Sequence, residues 1–157
     1  MTSEIATAAC VTTIADAPLQ VGRKVGPTEW QRMTQERVDQ FAEVTGDRNF
    51  IHVDPQRARA TVFGGTIAHG YLTLSLLAPI SQRLLVVTDA STSINYGLNK
   101  LRFPGPLLVG AEFRGLGELV DVSALDKGIQ VAATFTIEVK GAAKPALVAE
   151  CLFRYYR

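Results

Sequence analysis

An excess of charge of either sign is missing from this sequence. Its 16 Lys and Arg face 15 Asp and Glu, leaving a formal net charge of +1. No strong field is on offer to nucleic acid or to an anionic membrane, so neither is an expected partner. Cysteine is scarce too. Cys10 and Cys151 stand at opposite ends of the chain without paired spacing, which excludes a disulfide framework and points to a reducing cytoplasm. No Lys or Arg precedes Arg23, so the basic start of a secretory signal is absent. The uncharged stretch Ile67 to Gln82 interrupts its apolar residues with a His, a Pro, two Ser and a Thr. It falls short of the roughly 20 apolar residues of a membrane span and reads as a buried helix. The cysteines and histidines have no metal-ligand spacing, so no metal is expected. Gly64-Gly65 lacks both a Walker lysine and a dinucleotide-binding spacing.

What remains is the composition of one globular domain: 157 residues, 47% hydrophobic and 20% charged. Residues 1–19 are rich in Ala and Thr without a firm period and read as a mobile or loosely docked arm; 20–157 form the domain. Val21 to Trp30 supplies a short first strand or the approach to one. Thr34 is placed to cap a helix carrying Val38, Phe41, Ala42 and Val44 at helical spacing, and Gly46 to end it. From Asn49 to Val62 no period is sustained. The run Ile67 to Ile80 is apolar almost all round, as expected of one long enclosed helix, with Pro79 kinking or bounding it and Arg83 to Val87 continuing beyond. After Thr88 come strands: Ser93 to Tyr96, Leu98 to Phe103, Glu112 to Val122, the alternating run Ile129 to Lys140, and Leu147 to Tyr156. Helices first and an antiparallel meander after them make the class α+β, with the sheet around the apolar helix.

Two residues suggest chemistry. Asp47 and His52 are five positions apart, a spacing that separates them on a helix and on a strand. Only an irregular loop brings them together, and there a carboxylate and an imidazole would share one water as general base and acid. By spacing alone, a helix-end carboxylate and a surface histidine are the plainer reading. His69-Gly70 opens the apolar helix, where free N–H groups and the helix dipole suit a developing oxyanion. Gly70 serves equally for close packing, and His69 for a structural hydrogen bond. Ser75 lies nearly two turns on, either facing the same site or bonded to a helix carbonyl. Lys100 and Arg102 share one strand face, solvated or meeting the phosphates of a carrier such as coenzyme A.

At these residues the sequence resembles the MaoC-like dehydratases, the (R)-specific enoyl-CoA hydratases, and among them the single-domain mycobacterial type and the nodulation protein N group. The first motif reads Gly46-Asp47-Arg48-Asn49-Phe50-Ile51-His52-Val53-Asp54-Pro55, the second Ala68-His69-Gly70, and the third Tyr96-Gly97-Leu98-Asn99-Lys100-Leu101-Arg102-Phe103-Pro104-Gly105-Pro106. With the three in order, the resemblance covers the chain from about Val21 to its end. Phe50 stands where the family has proline, and Ala78 where some members carry a helix serine. The resemblance implies a hot-dog fold, an antiparallel sheet wrapped around a long central helix. It implies that Asp47 accepts a proton from water while His52 orients that water and donates to the α-carbon of a trans-2-enoyl thioester. Gly70 would hold the thioester oxygen and Asn49 the loop or the water. The product would be an (R)-3-hydroxyacyl thioester, or the reverse dehydration would run. No metal or redox cofactor is implied; coenzyme A or acyl carrier protein is part of the substrate. A hot-dog acyl-CoA thioesterase and a non-catalytic acyl-binding protein are the alternatives. The exposed sheet edge of a single hot dog predicts a homodimer with a substrate tunnel near its interface.

Overall fold

The computed structural model describes residues 9–157. Their elements run β1 (Cys10–Thr12), a 3-10 turn at Ala17–Gln20, β2 (Lys24–Val25), β3 (Gln31–Arg32), α1 (Gln35–Thr45), α2 (Phe50–Val53), α3 (Pro55–Ala58), α4 (Gly70–Ser75), α5 (Leu77–Leu84), β4 (Leu85–Val87), β5 (Thr92–Arg102), β6 (Glu112–Leu125), β7 (Gly128–Val139) and β8 (Leu147–Tyr156). Six strands form one sheet in the order β2-β6-β7-β8-β5, with β3 also on β6. All its pairings are antiparallel. The α+β class is as the sequence implies, and the sheet lies against the central helices in the hot-dog arrangement.

Alternation explains the sheet. Along β8 every second residue from Leu147 to Tyr155 is buried, and β7 buries Ile129, Val131, Ala133, Phe135 and Ile137. These faces meet Leu72, Leu76, Leu77, Ile80 and Leu84 from α4 and α5 in one core. Fully burying each such side chain contributes roughly 1.5–3 kcal/mol. A Cβ at Gly115 of β6 would stand 2.4 Å from Ile80 Cγ2, so the bare backbone there lets α5 settle onto the sheet.

The expected single long helix is two. α4 stops at Ser75 and α5 starts at Leu77, with Leu76 between them. The division places Pro79 in the first turn of α5, where a missing N–H breaks no helical bond. Arg83 to Val87 does not simply continue the helix, because Leu85 already turns into β4.

β4 pairs in parallel with β1, Cys10 opposite Leu85 and Thr12 opposite Val87. Residues 1–8 of the expected arm lie outside the described residues. Its remainder is built into the fold, with Cys10, Ile14 and Ala17 buried and the Ile14 N–H donating to Asp89 Oδ1 at 2.7 Å. Among the described residues no helix is long and apolar enough to cross a membrane.

Candidate active site

α1 is capped as its sequence predicts. Thr34 Oγ1 accepts from the Arg37 N–H, and Gly46 ends the helix at φ 79° with its N–H donating to Ala42 O. That left-handed residue turns the chain so that Asp47 leaves the helix axis with an exposed carboxylate. Asp47 Oδ1 accepts from the Asn49 N–H at 3.3 Å, and Asn49 Oδ1 accepts from the Ile51 N–H at 3.3 Å. Asn49 is therefore the N-cap of α2. The segment expected as an irregular loop holds two one-turn helices, α2 and α3, each started by an Asn or Asp cap. A turn, a cap and one turn of helix together bridge the five-residue interval and carry His52 inward, where it is buried.

His52 is held from several sides. Its N–H donates to Asn49 O at 2.9 Å, and its carbonyl accepts from Gln35 Nε2 at 2.7 Å. Its ring stacks on His69 with centroids 3.8 Å apart and planes at 27°. Its Nδ1 lies 2.8 Å from Ile67 O. A carbonyl only accepts, so Nδ1 carries the hydrogen and, in the neutral ring, Nε2 presents a lone pair. Burial holds the His52 pKa below its ordinary 6.5; Ile67 O and the Asp47 carboxylate pull upward, while His69 adds to the lowering. The ring is neutral at pH 7.

His69 is buried and its Nε2–H donates to the Asp47 backbone carbonyl at 2.9 Å. Its own carbonyl takes both the Thr73 N–H at 2.9 Å and Thr73 Oγ1 at 3.0 Å, fixing the start of α4. Gly70, Tyr71 and Leu72 follow, and their N–H groups have no upstream carbonyl within the helix. A Cβ at Gly70 would come within 3.2 Å of the Phe103 ring, so glycine here admits Phe103 against the helix start.

Asp47, His52 and His69 thus gather, their ligating atoms within 4.8 Å of one another. Sequence spacing gave no metal constellation, and spacing could not have shown this convergence, since it joins residues from three separate elements. Geometry then argues against a shared ion. An imidazole lone pair lies in its ring plane, and two rings stacked at 27° direct theirs side by side. They do not converge on a point about 2.0–2.1 Å from each nitrogen, as a bound zinc would need.

The other predicted residues lie apart from this cluster. Ser75 is exposed, and its hydroxyl donates to Leu72 O at 2.7 Å. It borders an apolar cavity of about 230 Å³ at the far end of α4, walled by Leu74, Ala78, Leu98, Cys151 and Phe153. Lys100 and Arg102 are exposed on β5, with Arg102 Nη1 donating to Leu101 O at 2.7 Å. Sequence reasoning missed Gln35 and Thr66. Thr66 Oγ1 donates to Gln35 Oε1 at 2.6 Å, and Gln35 in turn holds His52. Its target is a backbone carbonyl, which has no signature in a sequence.

Comparison with known proteins adds four findings. The model of the MaoC-like domain family matches residues 16–140. The chain is 48% identical over 143 residues to the 3-hydroxyacyl-thioester dehydratase Z of Mycobacterium tuberculosis, covering 90% of this chain and 95% of that one. It is 37% identical to nodulation protein N of Rhizobium leguminosarum bv. viciae, covering 87% and 86%. Among solved structures, the unliganded R-hydratase PhaJ1 of Pseudomonas aeruginosa aligns with a TM-score of 0.72 at 27% identity, covering 90% of this chain and 84% of that one.

Proposed function

Because this chain belongs to the MaoC-like domain family, we propose that it adds water across the double bond of a trans-2-enoyl thioester to give an (R)-3-hydroxyacyl thioester, and runs the reverse dehydration. The observation that carries this reading is the single unpartnered lone pair of neutral His52, beside the Asp47 carboxylate at the start of α4.

The tautomer redistributes the roles drawn from resemblance. Neutral His52 cannot donate from Nε2, but it can accept. Nε2 takes one proton of the water while Asp47 holds the other O–H and stabilises the imidazolium so formed. The water oxygen bonds to the β-carbon, and the π electrons pass to the α-carbon and the thioester oxygen. Gly70 N–H at the positive end of α4 receives that oxygen. His52 then returns its proton to the α-carbon, and the net change is addition of H and OH. Asn49 keeps α2, and with it His52, in place. One residue that takes and returns the proton needs no metal or redox cofactor.

The acyl chain fits the apolar cavity at the end of α4. Burial pushes the Cys151 thiol up to about 11, so Cys151 serves there as apolar wall, not nucleophile. Among the described residues β5 pairs only with β8 and leaves its other edge open, with Ile94, Tyr96 and Leu98 more than 40% exposed. A homodimer joined at that edge would border the cavity, since Asn95 to Leu98 line it. Lys100 and Arg102 on the same strand would meet the phosphates of coenzyme A or the surface of a carrier protein. The two free thiols suit a reducing cytoplasm.

The test is turnover of trans-2-enoyl-CoA. Loss of the conjugated absorbance without free thiol, with product oxidised by an (R)-specific dehydrogenase, supports hydration. Thiol release would establish a thioesterase instead, and no turnover an acyl-binding protein.

A further inference from the structure

The side chain of His69 touches both proton-handling residues. Its Nε2–H reaches the Asp47 carbonyl at 2.9 Å, and its ring face lies 3.8 Å from that of His52. Phe41 packs on it as well, with centroids 4.9 Å apart and planes at 51°. The residue is 2% exposed, so no water competes for these contacts. Its Nδ1 is buried without a partner. An apolar side chain would fill this space without stranding a polar atom. An imidazole kept there at that cost has work that an apolar ring would not do.

We propose that His69 is a positioning residue that ties the acid–base pair together: its N–H fixes the Asp47 backbone and its ring face fixes the plane of the His52 imidazole. Neither tie moves a proton. Nε2–H is committed to a carbonyl that cannot accept a full proton at neutral pH, and Nδ1 faces protein. Both ties run from the start of α4 to neighbouring elements. Asp47 follows α1, His52 rides on α2, and His69 caps α4. Gln35 already pins α2 to α1; His69 joins α4 to that pair, and the same residue sets the first turn of α4, which presents Gly70. The separation of base, carboxylate and oxyanion donor is thereby fixed at one point. A displacement of about 1 Å in such an arrangement costs on the order of a hundredfold in rate.

The inference rests on the hydratase reading, and wild-type turnover of trans-2-enoyl-CoA is therefore measured first; its absence defeats that reading and not this one. The positioning role is then read from three variants and from the nitrogen resonances of His52, which need no substrate. His69→Ala is expected to lower kcat roughly a hundredfold with KM changed less than about threefold, and to broaden or lose the His52 Nδ1–H signal. His69→Gln keeps an N–H for Asp47 O, and His69→Phe keeps a ring for His52. Each should recover part of the loss, and His69→Phe should restore the His52 signal. Should His69→Ala be too unstable to assay, the Gln and Phe variants compared with wild type still separate the two ties. Unchanged kcat and an unchanged His52 spectrum in folded His69→Ala would overturn the proposal. So would equal, complete loss in all three variants. Recovery in only one of the two overturns the tie that the other was built to keep.

Discussion

The corner around His52 and the outer edge of β5 are opposites. At His52 the main-chain N–H, the main-chain carbonyl and Nδ1 all have partners inside the chain, and Nε2 alone is left open. Along β5 one whole edge is without a partner strand among the described residues, its register against β8 slips between Asn95 and Gly97 and again between Leu98 and Lys100, and its side chains, Leu101 apart, are exposed. The difference separates what one chain settles alone from what it leaves to another molecule. In the proposed reaction proton transfer depends on an atom whose surroundings are over-determined. In the proposed dimer substrate enclosure depends on a strand that is half built. A defect in the first should remove chemistry and leave the fold, and a defect in the second should change assembly and substrate range.

The largest effect is expected from Asp47→Asn. The exposed carboxylate adds little to the core, so the melting temperature should hold while kcat falls by roughly 10²–10⁴-fold, the span of a lost acid–base partner. Steady-state kinetics beside a thermal melt measures both. Next comes Ile94→Lys on the open edge. A charge there opposes strand-to-strand pairing, and light scattering should report a monomer in place of a dimer. An unchanged dimer would move the interface elsewhere and dissolve the contrast drawn above. Third is Gln35→Ala, which strips the partner from the buried Thr66 hydroxyl and from the His52 carbonyl. A urea titration should show a loss of about 1–3 kcal/mol, with kcat reduced because α2 is no longer pinned to α1.

A smaller effect follows from pH. His52 has a folded pKa depressed below 6.5 by burial, so below pH 6.5 the unfolded chain takes up a proton before the native one does. Stability gained from keeping the ring neutral is complete above 6.5 and lost as pH falls toward the depressed value. Urea midpoints across that range should decline, and the acid limb of kcat/KM should lie below 6.5. His52→Gln removes this contribution to the slope; an unchanged slope would assign the decline to other groups.

Much of this was legible in the chain. Thr34 and Gly46 announced α1, and alternation marked β7, because those signals are local and repeat over many residues. α2 and α3 are four residues each, too short for any period, and only the caps Asn49 and Asp54 betray them. β1 could not be read at all: its pairing with β4 joins residues 75 positions apart (Cys10 and Leu85) and rests on no pattern of its own. The candidate pair Asp47 and His52 was found through its motif. The tautomer of His52 was not, since it depends on the carbonyl of Ile67, whose side chain says nothing about where its backbone points.

The faintest of the expected effects bears on Phe50. Where the resembling family has proline, this chain opens α2 with an aromatic ring, and the fixed φ that proline brings to a first helical position is gone. Arg57, one helix further on, lays its guanidinium carbon 4.1 Å from the Phe50 ring centroid. That contact spans α2 and α3 from outside, as Gln35 and Ile67 hold α2 from inside. An exposed cation–π pair of this kind contributes about 0.5–1 kcal/mol. Arg57→Ala should therefore cost no more than that in a urea titration, with a few-fold loss of kcat at most. Phe50→Pro in the Arg57→Ala background should recover the loss, since a rigid φ does by covalent geometry what the stack does by attraction. If the two changes add without any recovery, the ring and the guanidinium are neighbours only, and α2 is held entirely from its buried side.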